Sequence, residues 1–190
     1  LREGRAVLVE KPLTTSVATA TELIECARAA GVFLMEAMWT RFLPMMQQVR
    51  AWVTAGRIGE VRMLRASFGF RAGVDPASRL FAPALAGGGI LDVGVYPLAL
   101  ARDLIPGAPA TIAASGHLGA TGVDEQSAVL LGYPGGELAL CDCAIRTAGP
   151  HDAEIRGTDG RIDIPTPFWA GTTAVLYDAG GDEVERFAQD

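Results

Sequence analysis

A carboxylate and a phenol stand at helical spacing after three glycines, in the stretch GGGILDVGVYP from residue 87 to residue 97. Three consecutive glycines let the backbone turn sharply and let another chain or a ligand approach closely. If a helix begins there, Asp92 and Tyr96 are four residues apart and project from the same face. The two side chains would then share one site, and both groups exchange protons and bind hydroxyls.

The same spacing also permits a purely structural interpretation. Negative charge near a helix N-terminus is favoured by the helix macrodipole, which would account for Asp92. A tyrosine packs its ring into a core while its hydroxyl reaches a polar partner, which would account for Tyr96. The stretch by itself leaves both roles open.

A second motif, Glu10-Lys11-Pro12, favours the chemical role. It follows the apolar run 6–9, which is typical of a buried parallel strand. Catalytic and binding residues of open α/β sheets gather at the carboxyl ends of strands. We therefore expect this motif at the functional edge of a parallel sheet.

Together, the two motifs resemble those of the Gfo/Idh/MocA family of NAD(P)-dependent oxidoreductases. In that family a strand ends in Glu-Lys-Pro, and a later helix reads Gly-Gly-Gly-x-Leu-x-Asp-x-Gly followed by x-His or x-Tyr. Tyr96 occupies the last of these positions, as in the branch that contains dimeric dihydrodiol dehydrogenase and glucose–fructose oxidoreductase. The stretch 33–44, FLMEAMWTRFLP, looks most like the dihydrodiol dehydrogenase branch.

The resemblance implies catalytic roles for three residues. Oxidation of an alcohol needs a base that takes the hydroxyl proton as hydride leaves, and Tyr96 is the candidate base. A phenol ordinarily ionises near pH ~10, and a lysine ammonium within a few ångströms favours the phenolate. Lys11 fits that activating role. Asp92 would bind a substrate hydroxyl or orient Lys11.

The resemblance also implies binding roles at two places. Cofactor binding is expected at the strand end, from Glu10, Lys11 and Pro12. Aromatic walls of an apolar substrate pocket are expected at Trp39, Phe68 and Trp169, although aromatic residues are often simply core packing. The implied reaction is hydride transfer between NAD or NADP and a secondary alcohol of a sugar, cyclitol or cyclic diol.

Two alternatives stay open beside this interpretation. One is a non-catalytic sugar-binding or dimerisation module that kept the fold, because a fold does not prove catalysis. Retention of Lys11, Asp92 and Tyr96 together speaks against it, since a scaffold needs none of them. The other is a sugar oxidoreductase in place of a diol dehydrogenase.

The glycine fingerprint of a dinucleotide-binding half, G-x-G-x-x-G between a strand and a helix, does not occur in the sequence. In the resembling family it precedes Glu-Lys-Pro by most of a domain. We therefore expect this sequence to be a fragment that lacks the N-terminal Rossmann half. The fragment is expected to be inactive as an enzyme and to bind neither NAD nor NADP tightly.

The pattern of elements predicts α/β structure leading into α+β. A strand, a helix capped by Thr15 or Ser16 and ended by Gly31, and a second strand form the last βαβ piece of a Rossmann sheet. Residues 1–38 would be this remnant of a dinucleotide-binding domain. Residues 39–190 would form a substrate and dimerisation domain, incomplete at its C-terminus, with an open, largely antiparallel sheet packed on helices.

The second domain is predicted from one alternating run at 60–70, a helix from about residue 89 to 104, and a β-rich last third. Pro97 predicts a kink in that helix just beyond Tyr96. The irregular segment 71–86 is either a functional lid or a plain connection. Seven further strands are expected at 110–118, 124–133, 137–147, 153–156, 161–164, 173–177 and 183–187. Because both faces of run 137–147 carry apolar groups, we expect a homodimer through the open sheet.

Composition narrows the partners and the compartment. Of the 190 residues 49% are hydrophobic and 20% charged, and the net charge is -6. No Lys/Arg cluster stands out, so we expect neither nucleic acid nor a membrane as a partner. No apolar run is expected to cross a bilayer, and the charged start is unlike a signal peptide. The three cysteines, Cys26, Cys141 and Cys143, lack disulfide or zinc spacing, so we expect apolar fillers, no metal site and a cytoplasmic protein.

Overall fold

A computed structural model describes residues 1–189. The chain folds as two compact units, Leu1–Met38 and Trp39–Asp190. The first unit is α/β, and the second is an open sheet with helices on one face. The fold class predicted from the sequence is therefore confirmed.

The first unit is one parallel βαβ piece. Strand β1 (Val7–Val9) and strand β2 (Leu34–Glu36) pair in parallel and are joined by helix α1 (Val17–Ala30). Ser16 caps the helix, because its hydroxyl oxygen accepts a hydrogen bond from the Thr19 N–H at 3.2 Å. Gly31 ends the helix in the left-handed conformation, at φ 63°.

The second unit is built on an eight-stranded sheet in the order β10-β9-β8-β7-β3-β6-β5-β4. Only β3 and β6 pair in parallel, and every other pair is antiparallel. The strands are β3 (Val61–Gly69), β4 (Thr111–Leu118), β5 (Asp124–Gly132), β6 (Leu138–Ala144), β7 (Ala153–Gly157), β8 (Gly160–Ile164), β9 (Thr173–Asp178) and β10 (Glu183–Ala188). The predicted runs of the last third are thus strands, with ends shifted by a few residues.

Helical segments cover one face of this sheet. They are a 3₁₀ turn (Trp39–Phe42), helix α2 (Pro44–Thr54), a second 3₁₀ turn (Pro83–Leu85), a π turn (Ile90–Gly94) and helix α3 (Val95–Leu104). Alternate residues of the central strands point into the resulting core, and Leu64, Ala66 and Ala139 are fully buried there. Helix α3 packs directly on β3 and β6.

The predicted helix around Tyr96 departs from α geometry before that residue, whereas the sequence predicts a kink after it. The irregularity is the π turn that precedes Tyr96, and α3 then runs from Val95 through Pro97 without interruption. Pro97 lies close to the start of α3, so its missing N–H falls near the change from π to α geometry. The structure places the irregularity before Tyr96, and the expected kink beyond Tyr96 stays a prediction.

One helical stretch within residues 1–189, Pro83–Leu104, reaches membrane-spanning length and hydropathy. The stretch has 22 residues, and an 18-residue window within it has a mean hydropathy of 1.5. By length and composition alone, the expectation that no run is long enough to cross a bilayer is therefore wrong. Half of that window is buried inside the protein, as in a core helix.

Candidate active site

The three glycines and the π turn bring Asp92 and Tyr96 to the covered face of the sheet. The carboxylate of Asp124, at the start of β5, accepts the Ile90 N–H at 2.8 Å and so anchors the first residue of the π turn. Gly88 has φ 119°, and a Cβ on Gly94 would lie 2.9 Å from the Cys143 sulfur. Glycine is required at both positions, once for backbone conformation and once for close packing on β6.

Asp92 is nearly buried and forms an ion pair with an arginine from the irregular segment. Its Oδ1 accepts a hydrogen bond from Arg79 Nη2 at 2.8 Å, and Asp92 is 9% exposed. The Gly88 N–H donates to the Leu80 carbonyl at 2.9 Å, which fixes the segment beside the glycine run. Arg79 was not singled out from the sequence, because an exposed arginine in a loop carries no periodic signal.

Tyr96 is enclosed by the three aromatic residues assigned to the substrate pocket. Its ring centroid lies 5.4 Å from that of Phe68, 6.2 Å from that of Trp169 and 6.3 Å from that of Trp39. The indole N–H of Trp39 donates to the phenol oxygen of Tyr96 at 3.2 Å. Tyr96 is 8% exposed and Trp39 41%, so the cluster has one buried and one open side.

Phe68 and Trp169 form a flat stack, with centroids 4.8 Å apart and an interplanar angle of 3°. The structure thus brings Trp39, Phe68, Tyr96 and Trp169 together, from four separate segments of the second unit. An aromatic wall of this kind favours an apolar or ring-shaped ligand. Whether these residues bind substrate stays a prediction.

His151 belongs to the same cluster and was missed in the sequence. Its ring centroid lies 5.0 Å from Phe68, and its Nε2 is hydrogen-bonded to the Gly69 carbonyl. That carbonyl only accepts, so Nε2 carries the hydrogen and Nδ1 is left as an acceptor when the ring is neutral. His151 has φ 55°, which is uncommon for a residue other than glycine. Its only sequence signal was being one of two histidines.

Glu10-Lys11-Pro12 lies in the first unit, directly after β1. The Leu13 N–H that follows it donates to the Glu36 carboxylate at 2.8 Å, which ties the motif to the end of β2. The motif therefore stands at the carboxyl ends of two parallel strands, where open α/β sheets bind their ligands. These residues could hold part of a dinucleotide there.

Two cysteines support the site without taking part in its chemistry. Burial raises the pKa of the Cys141 thiol and of the Cys143 thiol to about 12, so both stay protonated at neutral pH. Both behave as small apolar fillers on β6. Within residues 1–189, no group of three or more histidine, cysteine, aspartate or glutamate side chains could hold a metal ion.

Two family models match the chain. Residues 46–163 match the GFO/IDH/MocA C-terminal domain, and residues 1–38 match the oxidoreductase family with an NAD-binding Rossmann fold. Trans-1,2-dihydrobenzene-1,2-diol dehydrogenase from Mus musculus is 41% identical over 93% of this chain and 52% of its own length. The enzyme of that name from Xenopus tropicalis is 38% identical over 93% of this chain and 53% of its own length.

Two solved structures have the same fold. Aldose–aldose oxidoreductase from Caulobacter crescentus, complexed with glycerol, matches with a TM-score of 0.86 and 27% identity, over 100% of this chain and 58% of its own. A 3-ketoreductase from Actinomadura kijaniata, complexed with NADP and TDP-benzene, matches with a TM-score of 0.81 and 30% identity, over 98% and 58%. The chain spans about half the length of the curated relatives it matches.

Proposed function

This chain belongs to the GFO/IDH/MocA family of oxidoreductases, and from that premise we propose that it carries the substrate site of an NAD(P)-dependent dehydrogenase. The reaction is hydride transfer between NAD or NADP and a secondary alcohol of a cyclic diol, cyclitol or sugar. The observation that supports this most is a nearly buried tyrosine, Tyr96, inside an aromatic pocket and next to an acidic residue on the preceding turn.

The reaction divides between the cofactor and this chain's residues. A bound nicotinamide would supply the acceptor for the hydride that leaves the alcohol carbon. Tyr96, as phenolate, takes the hydroxyl proton, so that the C–H and O–H bonds break as the C=O bond forms. Lys11 keeps the role that the family resemblance implies for it, as an ammonium that favours the ionised form of the base. Asp92 binds a neighbouring hydroxyl of the substrate, and its ion pair with Arg79 fixes the carboxylate.

The relatives favour a cyclic diol over a free sugar. Several curated relatives are named for a cyclic diol, trans-1,2-dihydrobenzene-1,2-diol. The two structural neighbours are instead named as an aldose–aldose oxidoreductase and a 3-ketoreductase. The flat stack of Phe68 and Trp169 supplies apolar area and few polar groups, which suits a ring with two hydroxyls better than a fully hydroxylated one.

Cofactor binding is proposed to need more than this chain. The Glu10-Lys11-Pro12 motif supplies one edge of a dinucleotide site, whereas the glycine-rich turn that holds a pyrophosphate does not occur in the sequence. Calorimetric titration of the 190-residue chain should therefore show no tight binding of NAD or NADP. A micromolar dissociation constant for either dinucleotide would contradict this part of the proposal.

The activity is tested in an extended chain, in which the remainder of an NAD-binding Rossmann domain from the mouse relative is joined ahead of Leu1. We expect reduction of NAD or NADP with a trans-dihydrodiol of benzene and slower reduction with aldoses. Aldoses as the better substrates would make the enzyme a sugar oxidoreductase. Binding of diols or sugars without any turnover, in an extended chain that binds the cofactor, would favour the non-catalytic module.

We also propose a homodimer through the uncovered face of the sheet. Leu130 lies opposite Leu140 on neighbouring strands, Leu138 lies opposite Met63, and all four are 37–41% exposed. A shallow groove runs along β4, β5 and β6 at this place. A contiguous apolar patch of this kind is typical of an association surface, and a second copy can present the same patch by two-fold symmetry.

A further inference from the structure

We infer that Trp39 is a positioning residue for the base, in addition to any role as a pocket wall. Its indole N–H donates to the Tyr96 oxygen and stabilises the phenolate. The catalytic role of Trp39 rests on the proposed function, whereas the hydrogen bond between Trp39 and Tyr96 does not depend on that function. The donor and acceptor are 3.2 Å apart and come from the 3₁₀ turn and helix α3.

The chemistry of an indole makes this contact one-directional. A tryptophan side chain has one N–H, which only donates, and it does not titrate in the physiological range. Trp39 therefore cannot take the proton of Tyr96, and it cannot act as acceptor for the phenol hydrogen. The contact strengthens as negative charge develops on the oxygen, because hydrogen bonds to ionised acceptors are the stronger ones. Trp39 thus favours the proton-accepting form of Tyr96.

Packing holds the indole in this orientation. Trp39 meets Trp169 edge-on, with ring centroids 6.2 Å apart and an interplanar angle of 86°, and it meets Tyr96 edge-on at 78°. The hydrogen bond to the Tyr96 oxygen shows that the edge of the indole that carries the N–H faces Tyr96. The backbone of the 3₁₀ turn also contacts α3.

Trp169 supplies a matched comparison within the same cluster. It contacts Tyr96 and Phe68 as closely as Trp39 contacts Tyr96, yet its buried Nε1 has no hydrogen-bond partner among residues 1–189. Trp39 and Trp169 therefore differ in whether their N–H reaches the phenol, while both give aromatic packing. Replacing each by phenylalanine separates the two contributions.

Charged and titratable groups near the phenol are kept constant in this comparison. They lie on α3, on the elements packed against it or beside the aromatic cluster, and they are Asp92 with its partner Arg79, Arg102, Asp103 with its partners Arg41 and Arg50, Arg62 and Arg65 on β3, Cys141, Asp142 and Cys143 on β6, and His151. Neither tryptophan replacement changes the charge of any of them.

The experiment follows phenol ionisation by NMR in the 190-residue chain with ¹³Cζ-labelled tyrosine. The chain has three tyrosines, and Tyr96→Phe identifies the signal of Tyr96. In Trp39→Phe, we expect the ionisation midpoint of Tyr96 to rise by about one pH unit, as loss of a hydrogen bond to a charged acceptor predicts. In Trp169→Phe it should stay within about 0.3 unit. Equal shifts in the two variants, or none in Trp39→Phe, would overturn the inference.

A second measurement needs no substitution and covers the case in which Trp39→Phe does not fold. The three indole N–H signals of the unsubstituted chain are followed through the same titration. The Trp39 signal should move to lower field with the midpoint of Tyr96, while those of Trp52 and Trp169 should not. A Trp39 signal whose chemical shift does not change as Tyr96 ionises would overturn the inference. Turnover is not measured here, so failure of the proposed function is distinguished by Tyr96→Phe in the extended chain.

Discussion

The two faces of the eight-stranded sheet differ in chemistry although alternate residues of the same strands build them. On β6, Ala139, Cys141 and Cys143 face the helices and are 0–4% exposed, while Leu138 and Leu140 face outwards and are 39–40% exposed. On β6 the covered face has the smaller side chains, which lets the glycine-rich π turn pack closely and brings Tyr96 onto β3 and β6. On the same strand the open face has the larger apolar side chains, which suits association. Alternation along a strand can thus serve a chemical site and an interface at once.

The largest difference between the faces should be in catalysis. Tyr96→Phe keeps the ring and its packing on the covered face but removes the proton-transfer group. Turnover of the extended chain should fall by about 10²- to 10⁴-fold, with cofactor affinity nearly unchanged. Tyr177→Phe, which removes a phenol from β9 outside the aromatic cluster, should leave turnover unchanged. A Tyr96→Phe enzyme that keeps most of its turnover, with chemistry rate-limiting, would assign Tyr96 to packing.

A charged substitution on the open face should weaken the proposed dimer. Leu140→Glu places an unpaired carboxylate in the proposed interface twice, once from each copy, and its burial is costly. Sedimentation velocity should show that the dissociation constant of the dimer is at least about 10³-fold higher in this variant than in the parent chain. The control is Leu85→Glu, at an exposed leucine of the second 3₁₀ turn, which should leave the dimer intact. A monomer in the parent chain at micromolar concentration would refute the interface.

Two adjacent residues of β7, one on each face, show how much each face contributes to the free energy of unfolding. Ile155 is fully buried on the covered face, whereas Arg156 faces outwards and pairs with Glu154. Ile155→Ala should lower the free energy of unfolding by about 2–5 kcal/mol through a cavity, and Arg156→Ala by less than about 1 kcal/mol. Urea denaturation in the Leu140→Glu background removes the contribution of association. Equal losses in the two variants would contradict the assignment of the faces.

The thiols on the covered face should make the stability of the protein depend on pH. Burial raises the pKa of Cys141 and Cys143 to about 12 from an ordinary value of 9.0. Unfolded thiols therefore ionise first as pH rises, so this stability is fully present below pH ~9 and is lost as pH approaches ~12. The free energy of unfolding should fall with pH by at most about 1.4 kcal/mol per unit for each thiol.

The cysteine effect is isolated by the double replacement Cys141→Ala and Cys143→Ala. At pH 7 the thiols are protonated in the folded and in the unfolded chain. The difference in the free energy of unfolding between the double variant and the parent chain at this pH therefore gives the loss of packing alone. Between pH 9 and pH 10.5 the double variant should lose stability less steeply than the parent. Parallel slopes over that range would show that the thiols ionise equally well in the folded and unfolded chain.

Elements with local signals were predictable from the sequence. The hydroxyl of Ser16 and the left-handed Gly31 bound α1 where cap chemistry places them, and turn residues separated the strands of the last third. The order of those strands was not predictable, because β3 pairs with β6 and β7 across 70 or more residues. Long-range pairing leaves no local trace.

The candidate site was predictable only in part. The resemblance supplied Asp92, Tyr96 and the aromatic residues, and the structure brings Phe68, Tyr96 and Trp169 into contact. Arg79 and His151 were missed because an ion pair from a loop and a single histidine give no periodic pattern. The π turn was missed because its one extra residue per turn does not alter the apolar periodicity of so short a segment.

The most direct test of Tyr96 as the base is the pH dependence of a single turnover in the extended chain. Nicotinamide reduction is followed by stopped flow with saturating cofactor and a trans-dihydrodiol of benzene. The rate should rise with pH through one deprotonation in the parent protein, and Tyr96→Phe should be slow at every pH without that rise. The same deprotonation persisting in Tyr96→Phe, with an undiminished rate at its plateau, would contradict the assignment.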